Sequence, residues 1–555
     1  MSASDKKKLR KELTAAKQTE RQKKERAEAR KLLATTVTFV VIMLVIVGVA
    51  IGVIWDRQAE NSGRRDRKTI AATVGTHQLN SLQMNYYLTD EVRNTYSQWQ
   101  EAYGSSVSLY ASMMGIDVNS PINAQVYDQE SGQTWADFFL ESALEKAKSD
   151  YALYDKATAD SFTLPADDQT ALDSLSSQLD LYATYGGYAD ANKYLKAIYG
   201  KGADVKSYTD YVKIATVASA YYNQHKDSLT YDDAKIAAYE KDKFNNYSSF
   251  TYAHYYVSAS SYLKGGTKDD KGTTTYSDED RAAALAEAEK IAKELAACTD
   301  IEALDKAVAA LEINKDNKNA ATTKNTAVMY NNIPTDTLKA WLSDNARTEN
   351  EIGMVVNESV SVDADGKETK TTNGYYVVVF QSRNDNERYL ANVRHILVAF
   401  EGGTTGSDGQ KKYSDAEKAV AKTEAERLMK LWQDGAQTND SFVALVKEHS
   451  DDEGSVSTGG LYEDVHAASP FVENFRNWAI DPERKANDVG VVESEYGYHV
   501  MYYVGDDEMT YREYMITEDM RAEDIEKWHE DILSSVTVAK KDLSRLNLDL
   551  IMGAL

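Results

Sequence analysis

The residues of this sequence that could do chemistry in combination lie in its last third. His395 stands in the segment Val393-Arg-His-Ile-Leu-Val398, and His499 ends the segment Glu495-Tyr-Gly-Tyr-His499. Between them lies a polar run, Ser450-Asp-Asp-Glu-Gly-Ser455. Imidazole, carboxylate and hydroxyl groups can hold and pass protons within a hydrogen-bonded cluster. Taken alone, however, a histidine in an apolar strand is more often a buried residue whose hydrogen bonds are satisfied by neighbouring groups than a catalytic one.

Composition and motifs exclude several other kinds of chemistry. The histidines are scattered and no His-Glu-x-x-His motif occurs, so metal-dependent hydrolysis has no support. Cys298 is the single cysteine, which excludes an internal disulfide and a multi-cysteine zinc site. We therefore expect no metal and no cofactor. With 88 acidic and 63 basic residues, the chain has a formal charge of -25 and would repel a phosphate backbone, so nucleic acid is not an expected partner.

The elements that should position these residues occur twice. The segment LKAWLSDNARTENEIGMVV, from Leu338, aligns without a gap with FRNWAIDPERKANDVGVVE, from Phe475. Each copy opens with a strand-like segment, around His254 or His395, followed by a Gly-rich loop, Tyr-Ser-Asp and a helix rich in Ala and Glu. We predict two related α+β units. The identical pairs in the aligned segments are Trp341 and Trp478, Asp344 and Asp481, Arg347 and Arg484, Asn350 and Asn487, Gly353 and Gly490, and Val355 and Val492.

The second unit resembles the parvulin-type peptidyl-prolyl isomerases. Four motifs in the family's order carry the resemblance: VRHILVAF with His395, the run from Ser450 leading to Gly459-Gly460, Phe471-Val-Glu-Asn-Phe475, and Glu495-Tyr-Gly-Tyr-His499. One such motif would be weak, but four in order are specific. The resemblance implies a prolyl isomerase domain, and the arrangement of the whole chain resembles an extracytoplasmic bacterial foldase with chaperone activity.

The resemblance also implies which residues are catalytic. His395 and His499 would face each other at the floor of the site, Asp452 would fill the family's Asp or Cys position, and Ser494 would be the neighbouring hydroxyl. Rotation about an X-Pro bond faces a barrier of ~18–20 kcal/mol because amide resonance is lost, yet no bond need be made or broken. A polar cluster that stabilises the twisted amide better than the planar one is therefore sufficient for catalysis.

The proline pocket departs from the family's pattern at two points. Phe475 corresponds to the aromatic wall, and Phe471, four residues earlier on the same predicted helix, stands where Met or Leu is usual. After Gly459-Gly460 the common Gly-Asp-Leu-Gly turn is replaced by Gly-Leu461-Tyr462-Glu463. We assign Leu461 to the pocket together with the two phenylalanines, and Tyr462 is the other residue that could form this wall.

The first unit departs much further from the family. His254 matches His395, but Tyr376 stands where His499 would be, and no Ser-x-Asp followed by Gly-Gly lies between them. Because the paired histidine and the acid are both absent, we expect this unit to be catalytically inactive and to serve structure or client binding.

The rest of the chain predicts a membrane-anchored, largely helical protein. The uncharged segment from Leu32 to Trp55 is long enough to span a bilayer as one helix, and the basic residues before it place the N-terminus in the cytoplasm. Most of the chain would then be extracytoplasmic, at the cell membrane. The predicted α+β architecture is a basic tail (1–31), a transmembrane helix (32–55), a helical chaperone-like domain (69–247), a degenerate parvulin-like domain (248–383), a parvulin domain (391–506) and a C-terminal helical segment (507–555).

Three functions are compatible with this organisation. The first is a membrane-tethered peptidyl-prolyl isomerase and foldase whose partners are unfolded or nascent exported proteins with X-Pro segments. The second is a non-catalytic holdase chaperone that uses both parvulin-like units only to bind clients. The third is a structural envelope protein, which would need no histidine pair. The clients and the oligomeric state are not encoded in any pattern that we recognise.

Overall fold

The computed structural model describes residues 63, 65–268, 270, 272–317, 319–362, 366–406 and 410–555. The predicted cytoplasmic tail (1–31) and transmembrane helix (32–55) lie outside these residues. Among the helices in the described ranges, none is both long and apolar enough to cross a bilayer.

Strands are distributed along the whole described chain, but the long ones are concentrated between residues 249 and 510. In chain order they are β1 (Ile70–Val74), β2 (His77–Asn80), β3 (Val126–Asp128), β4 (Gln133–Thr134), β5 (Ser249–Ser258), β6 (Thr267–Lys268), β7 (Thr274–Thr275), β8 (Thr323–Met329), β9 (Ile352–Val362), β10 (Glu368–Asn384), β11 (Tyr389–Ala399), β12 (Thr404–Thr405), β13 (Lys411–Lys412), β14 (Leu461–Val465), β15 (Val489–Glu493), β16 (Gly497–Thr510) and β17 (Val538–Lys540).

The long helices are concentrated in the first half of the described chain, as the apolar spacing there predicts. In chain order the α-helices are α1 (Ser81–Tyr103), α2 (Val107–Met113), α3 (Trp135–Ala159), α4 (Ala166–Tyr185), α5 (Ala191–Tyr199), α6 (Val205–Ser228), α7 (Asp233–Glu240), α8 (Asp278–Ala296), α9 (Ile301–Ala309), α10 (Asp336–Leu342), α11 (Asp415–Gln433), α12 (Asn439–His449), α13 (Glu453–Val456), α14 (Glu473–Ala479) and α15 (Tyr511–Ser534).

The chain divides into two compact units. The first comprises the described residues up to Thr230 together with Arg521–Leu555, and the second comprises the described residues of Tyr231–Met520. In the first unit, α1 and α3 pack around a core that includes Leu88, Phe139 and Leu140. Both helices begin with capping boxes. In each, the side chain of the residue before the helix accepts the backbone N–H of the third helical residue, whose side chain accepts the backbone N–H of the first-named residue in return.

The C-terminal segment differs from the helix that the sequence predicts over 507–555. After α15 ends at Ser534, the chain forms strand β17, which pairs antiparallel with β1 in the three-stranded sheet β17-β1-β2. Val536 and Val538 pack on the first unit's core. Alternating apolar and polar residues over Val536-Thr-Val-Ala-Lys540 fit a strand rather than a helix, and this short pattern explains the difference.

The second unit contains two four-stranded sheets with the same topology. Their strand orders are β8-β5-β10-β9 and β14-β11-β16-β15. In each sheet the first and last strands of the sequence repeat are therefore the two central strands, paired antiparallel. The Tyr-Ser-Asp motif explains the helix that follows the first strand in each copy, because Ser277 caps α8 and Ser414 caps α11, each through a capping box.

The residues that are identical in the two copies form the same local structure twice. Gly353 and Gly490 lie against tryptophan rings, where an added Cβ would come within 2.5 Å of Trp341 and 2.6 Å of Trp478 respectively. An arginine stacks on each tryptophan at 4.6 and 4.4 Å. The matched asparagines, Asn350 and Asn487, both have positive φ and donate their backbone N–H to the last strand. These contacts hold α10 and α14 on their sheets in the same way.

Candidate active site

The two histidines that the sequence singles out lie on the central strands of the second sheet. His395 is on β11 and His499 on β16, and the register pairs His395 with Met501 and Leu397 with His499. The two imidazoles thus lie diagonally on one face, with 3.0 Å between their Nδ1 atoms. Both are buried, at 3% and 6% exposure. The opposite face of the same strands packs its apolar residues on α11 and α12.

Asp452 lies on the far side of His395 from His499. It directly precedes the short helix α13, and its Oδ2 is 2.8 Å from His395 Nε2. The same oxygen accepts hydrogen bonds from the Ser455 hydroxyl at 2.5 Å and the Tyr462 hydroxyl at 3.0 Å. Asp452 therefore accepts hydrogen bonds from three side chains and fixes the position of one end of the cluster.

The Gly459-Gly460 turn explains how this loop reaches the histidine strand. Gly460 has a φ of +71°, and its backbone carbonyl accepts a hydrogen bond from His395 N at 3.0 Å. A Cβ at Gly460 would lie 2.3 Å from the His395 carbonyl oxygen, so any other residue would push the loop away. The glycine therefore allows Asp452 and β14 to close on His395.

Ser494 completes the other end of the cluster. Its hydroxyl is 2.8 Å from His499 Nε2, and it accepts the backbone N–H of Tyr496 at 3.2 Å. The polar groups therefore form one continuous line from Asp452 through His395 and His499 to Ser494. The structure brings together all four residues that the sequence assigned to catalysis.

The protonation states of Asp452 and His499 restrict which atoms of the cluster can donate a hydrogen bond. The hydrogen bond from His395 holds the pKa of Asp452 well below its usual range, and the Ser455 and Tyr462 hydroxyls add to this effect against the opposing effect of burial. Burial lowers the pKa of His499 to about 4, and neighbouring His395 contributes. At neutral pH Asp452 is thus an anion that only accepts, and His499 is uncharged.

Two arrangements of the hydrogen bonds along the line from Asp452 to Ser494 are consistent with these protonation states. When both imidazoles are neutral, His395 Nε2–H donates to Asp452, His499 Nδ1–H donates to His395 Nδ1, and Ser494 donates to His499 Nε2. When His395 carries a second proton, the bond between the histidines reverses and His499 Nε2–H donates to Ser494. The cluster can therefore change the polarity of its Ser494 end without moving any heavy atom.

Three aromatic rings form an apolar wall beside the histidines. The Phe475 ring meets His395 and His499 edge-on, at centroid distances of 5.3 and 5.5 Å. Phe471 lies 5.0 Å from Phe475 and 4.9 Å from Tyr462. Only Phe475 is on a helix, because α14 begins at Glu473; the expectation that one helix carries both phenylalanines is therefore wrong. Both rings nevertheless belong to the same cluster.

Of the two residues considered for the remaining wall, the structure favours Tyr462. The register pairs Tyr462 with Val393, on the histidine face of the sheet, and Leu461 with Arg394, on the opposite face. The Tyr462 ring lies 5.3 Å from the His395 ring. Leu461 is buried away from the cluster, so its assignment to the pocket is not supported. Neighbouring residues of a strand point to opposite faces of the sheet. Predicting Leu461 in place of Tyr462 therefore selects the wrong face.

The sequence predicts no role for Ser455, and it predicts Tyr462 only as an alternative pocket wall and not as a hydrogen-bond partner of Asp452. The Ser455 hydroxyl is buried and contacts both Asp452 and His395, and Tyr462 links the aromatic wall to the carboxylate. Ser455 could have been found from its position three residues after Asp452, where a short helical turn brings the two side chains together. Tyr462 carried no such signal, because its hydroxyl could have pointed to solvent.

The corresponding position in the first unit has a different chemistry. His254 Nδ1 accepts a hydrogen bond from the Asn325 amide at 3.0 Å, and the ring of Tyr376 meets His254 edge-on at 5.3 Å. Burial lowers the pKa of His254. Leu338 is aligned with Phe475 and belongs to the apolar core there. Among the described residues of this copy, His254 therefore contacts an amide and a tyrosine ring where His395 contacts a carboxylate and a second imidazole, and Leu338 stands in place of the Phe475 ring.

Within the described residues, no group of His, Cys, Asp and Glu side chains is arranged to hold a metal ion. The polar atoms of the His395 cluster are directed at one another, at a serine hydroxyl and at backbone groups.

Residues 375–505 match the family model of the PPIC-type PPIase domain. The match begins in β10, which in chain order is the last strand of the first sheet, and ends within β16, so it contains the whole His395 cluster. The chain thus carries a parvulin-type peptidyl-prolyl isomerase domain, and the activity that this domain supports is peptidyl-prolyl cis-trans isomerisation. No curated protein matches the sequence.

Solved structures with local similarity include prolyl isomerases and a chaperone. The PPIase domain of TbPar42 is 22% identical, with 20% of this chain and 98% of that chain covered and a TM-score of 0.17. PrsA from Bacillus anthracis is 21% identical (27% and 59% covered, TM-score 0.18). A SurA-like chaperone from Campylobacter jejuni is 22% identical (28% and 57% covered, TM-score 0.15). The chain thus spans less than two thirds of the last two, and similarity at these scores carries no functional argument.

Proposed function

We propose that this protein is a membrane-tethered peptidyl-prolyl isomerase and foldase that assists exported proteins, and that its active site is the His395 cluster. The observation that carries the proposal is the continuous line of hydrogen bonds from Asp452 to Ser494 beside an aromatic wall. A line of buried polar groups next to an apolar surface is what a twisting X-Pro amide needs.

Each part of the site has a task in this reaction. Phe475, Phe471 and Tyr462 offer the proline ring an apolar surface, which holds the ring while the rest of the peptide rotates. The amide loses its resonance as it twists, so its carbonyl polarity and its nitrogen lone pair change. The two histidines can respond to this change by reversing the direction of their hydrogen bond, a step in which His395 takes up a second proton and His499 holds its proton on Nε2. No nucleophile is needed, because no covalent bond is made or broken.

The anionic Asp452 keeps His395 oriented during the rotation. Its three donors leave the carboxylate little freedom, so His395 Nε2 has a fixed partner and its ring has a fixed plane. Pre-organised groups of this kind stabilise a transition state without paying for reorganisation. Asp452, His395, His499 and Ser494 thus act as one unit in the proposed mechanism.

The location outside the cytoplasm rests on the sequence. The uncharged segment 32–55 and the basic residues before it support a single anchor with a cytoplasmic N-terminus and an extracytoplasmic remainder. Newly exported chains are unfolded on that side of the membrane, where slow X-Pro isomerisation would delay their folding. Their X-Pro segments are the proposed substrates.

The test is a protease-coupled or NMR exchange assay of X-Pro isomerisation with the full chain and two matched variants. His499→Ala removes an imidazole from the proposed site, and His254→Ala removes the corresponding imidazole of the first unit. We expect acceleration by the parent protein, at least tenfold loss in His499→Ala, and unchanged activity in His254→Ala.

Other outcomes would redirect the assignment. Equal loss in the two variants would mean that the first unit is also catalytic. A folded parent protein that does not accelerate the reaction would refute the isomerase and leave a holdase that binds clients. Circular dichroism of each variant establishes that a lost activity is not lost structure.

A further inference from the structure

An apolar surface is exposed in the first unit, far from the His395 cluster in the sequence. On α2, Leu109 and Met113 are 67% and 79% exposed, although Val107 and Ala111 on the same helix are buried in the core. A helix at a surface normally turns polar residues outward, so an apolar outer face is unusual. The α2 surface, as we call it, consists of the exposed residues Tyr103, Leu109, Met113, Met114, Val126 and Tyr127.

Aromatic contacts connect the parts of the α2 surface. Tyr103, at the end of α1, stacks on Tyr110 of α2 with 3.9 Å between ring centroids. Tyr127, on β3, lies 4.8 Å from the ring of Trp135. Trp135 in turn donates its indole N–H to the carbonyl of Gly115, the residue after Met114. The helix and the strand are thus held against the same tryptophan.

The sequence around the α2 surface has an unusual charge distribution. Between Arg93 and Lys146 there is no Lys, Arg or His, although the whole chain has 63 Lys and Arg. Hydrogen bonds from Asn119 N and the Ser120 hydroxyl lower the pKa of Asp117. The carboxylates of this stretch that form no ion pair with any described residue include Glu101, Asp117, Asp128 and Glu130.

The charge distribution around the surface is not uniform. Lys540 forms an ion pair with Glu141 on α3 and also lies near Asp137. A basic group therefore does reach this part of the chain, but it meets the carboxylates of α3 and not those beside α2 and β3. The exposed apolar residues thus share this stretch of sequence with carboxylates that form no ion pair with a described Lys, Arg or His side chain.

We propose that the α2 surface binds extended polypeptide segments that combine apolar side chains with Lys or Arg. Methionine side chains are flexible and polarisable, so they can adapt to apolar groups of varied shape. Carboxylates that form no ion pair with a described residue attract cations on an approaching chain and repel an anionic membrane or an acidic segment. A second copy of the same surface would bring like charges together. This inference rests on the foldase part of the proposed function and names the chemistry of the client segments.

The test measures the binding of two labelled peptides to the full chain by fluorescence anisotropy. One peptide consists of Leu, Phe, Ala and Lys, and the other has Glu at every Lys position. The variant Leu109→Ser/Met113→Ser removes the apolar side chains without adding charge. The matched control is Leu181→Ser/Tyr185→Ser, because these two residues are also exposed and one helical turn apart, on α4. Neither pair belongs to the isomerase site.

We expect the Lys peptide to bind at least tenfold more tightly than the Glu peptide, and its affinity to fall with added salt. The α2 variant should lose at least tenfold in affinity, and the α4 control should lose none. Equal binding of both peptides, or undiminished binding by the α2 variant, overturns the proposal. So does preferential binding to vesicles of anionic lipid, or concentration-dependent dimerisation that the α2 variant abolishes.

The prolyl isomerase assay separates this proposal from the proposed catalytic function. The α2 variant should accelerate isomerisation of a short X-Pro peptide as the parent protein does, and His499→Ala should bind the Lys peptide as the parent does. Loss of isomerisation with intact peptide binding would refute the catalytic assignment only. Isomerisation without binding of the Lys peptide would refute the α2 surface only.

Discussion

Burial of His499 predicts a specific dependence of stability on pH. In an unfolded chain a histidine has a pKa near 6.5, whereas burial lowers the pKa of His499 in the native state to about 4. As the pH falls from 6.5 to 4, the unfolded chain binds a proton that the native chain does not bind. Acidification through this window therefore stabilises the unfolded state and lowers the free energy of unfolding.

The size of this effect follows from the two pKa values. With values of 6.5 and about 4, the linkage relation gives a loss of about 2 kcal/mol between pH 7 and pH 5 and about 3 kcal/mol by pH 4. Asp452 acts in a lower range. Its pKa is held below the usual carboxylate value, so the stability that it contributes is lost only as the pH falls below about 4. Of these two residues, only His499 therefore changes the free energy of unfolding substantially between pH 7 and pH 5.

Hydrogen exchange of the full chain can measure this loss at the strand that carries His499. Amide protection of β16 is compared at pH 7 and pH 5, after correction for the intrinsic exchange rate, in the parent protein and in His499→Gln. Glutamine does not titrate, so the variant should lose about 2 kcal/mol less protection over this range. His254→Gln is the matched control and should keep the parent's dependence in β16.

Two results would refute this reasoning. One is an identical pH dependence of β16 protection in the parent protein and in His499→Gln. The other is a direct NMR titration that gives His499 a pKa of 6.5 or higher. Protonation of His499 would then no longer lower the free energy of unfolding as the pH falls.

Three further predictions concern Tyr462 of the aromatic wall, Asp452, which orients His395, and Gly490, which packs on Trp478. Tyr462→Phe keeps the ring but removes one donor from Asp452, so kcat/KM should fall about threefold to tenfold with little change in KM, and a larger fall in Tyr462→Ala would come from the lost wall. Asp452→Asn removes the anion that orients His395, and kcat should fall at least tenfold; unchanged turnover would exclude an orienting role. Gly490→Ala places a Cβ 2.6 Å from Trp478 Nε1 and should cost about 1–3 kcal/mol of stability, measured by urea unfolding.

The sequence predicted the proposed catalytic cluster better than the pocket, for physical reasons. The resemblance to the parvulin family implies that His395 and His499 face each other, because both lie in motifs that match the family's pattern. Which strand faces which, and with what offset, is set by tertiary pairing, and the diagonal 3.0 Å contact of the imidazoles depends on it. At Leu461 and Tyr462 no alternation marks the inward face, and the wrong residue was assigned.

The predicted helix over 507–555 is present only over Tyr511–Ser534, and the difference after Ser534 has a related reason. Helix α15 has a clear pattern and ends at Ser534, but β17 is short, and its partner β1 lies hundreds of residues earlier in the chain. Pairing between such distant segments leaves no local signal beyond a few alternating residues. Local patterns therefore identified the long helix and missed the strand that returns to the first unit.

The two copies of the repeat separate what the fold requires from what the site requires. Tryptophan, glycine, arginine and asparagine are retained in both copies, and in both they clamp a helix onto the sheet through the same stacking and the same positive-φ turn. By contrast, the partners of the strand histidine differ completely: Asp452 and His499 in one copy, Asn325 and Tyr376 in the other. Because the scaffold contacts lie apart from the histidine partners, one copy can lose its polar cluster and keep its fold. If the cluster were needed for stability, substitutions in it should unfold the second unit; if it serves catalysis, they should abolish turnover and leave the sheet intact.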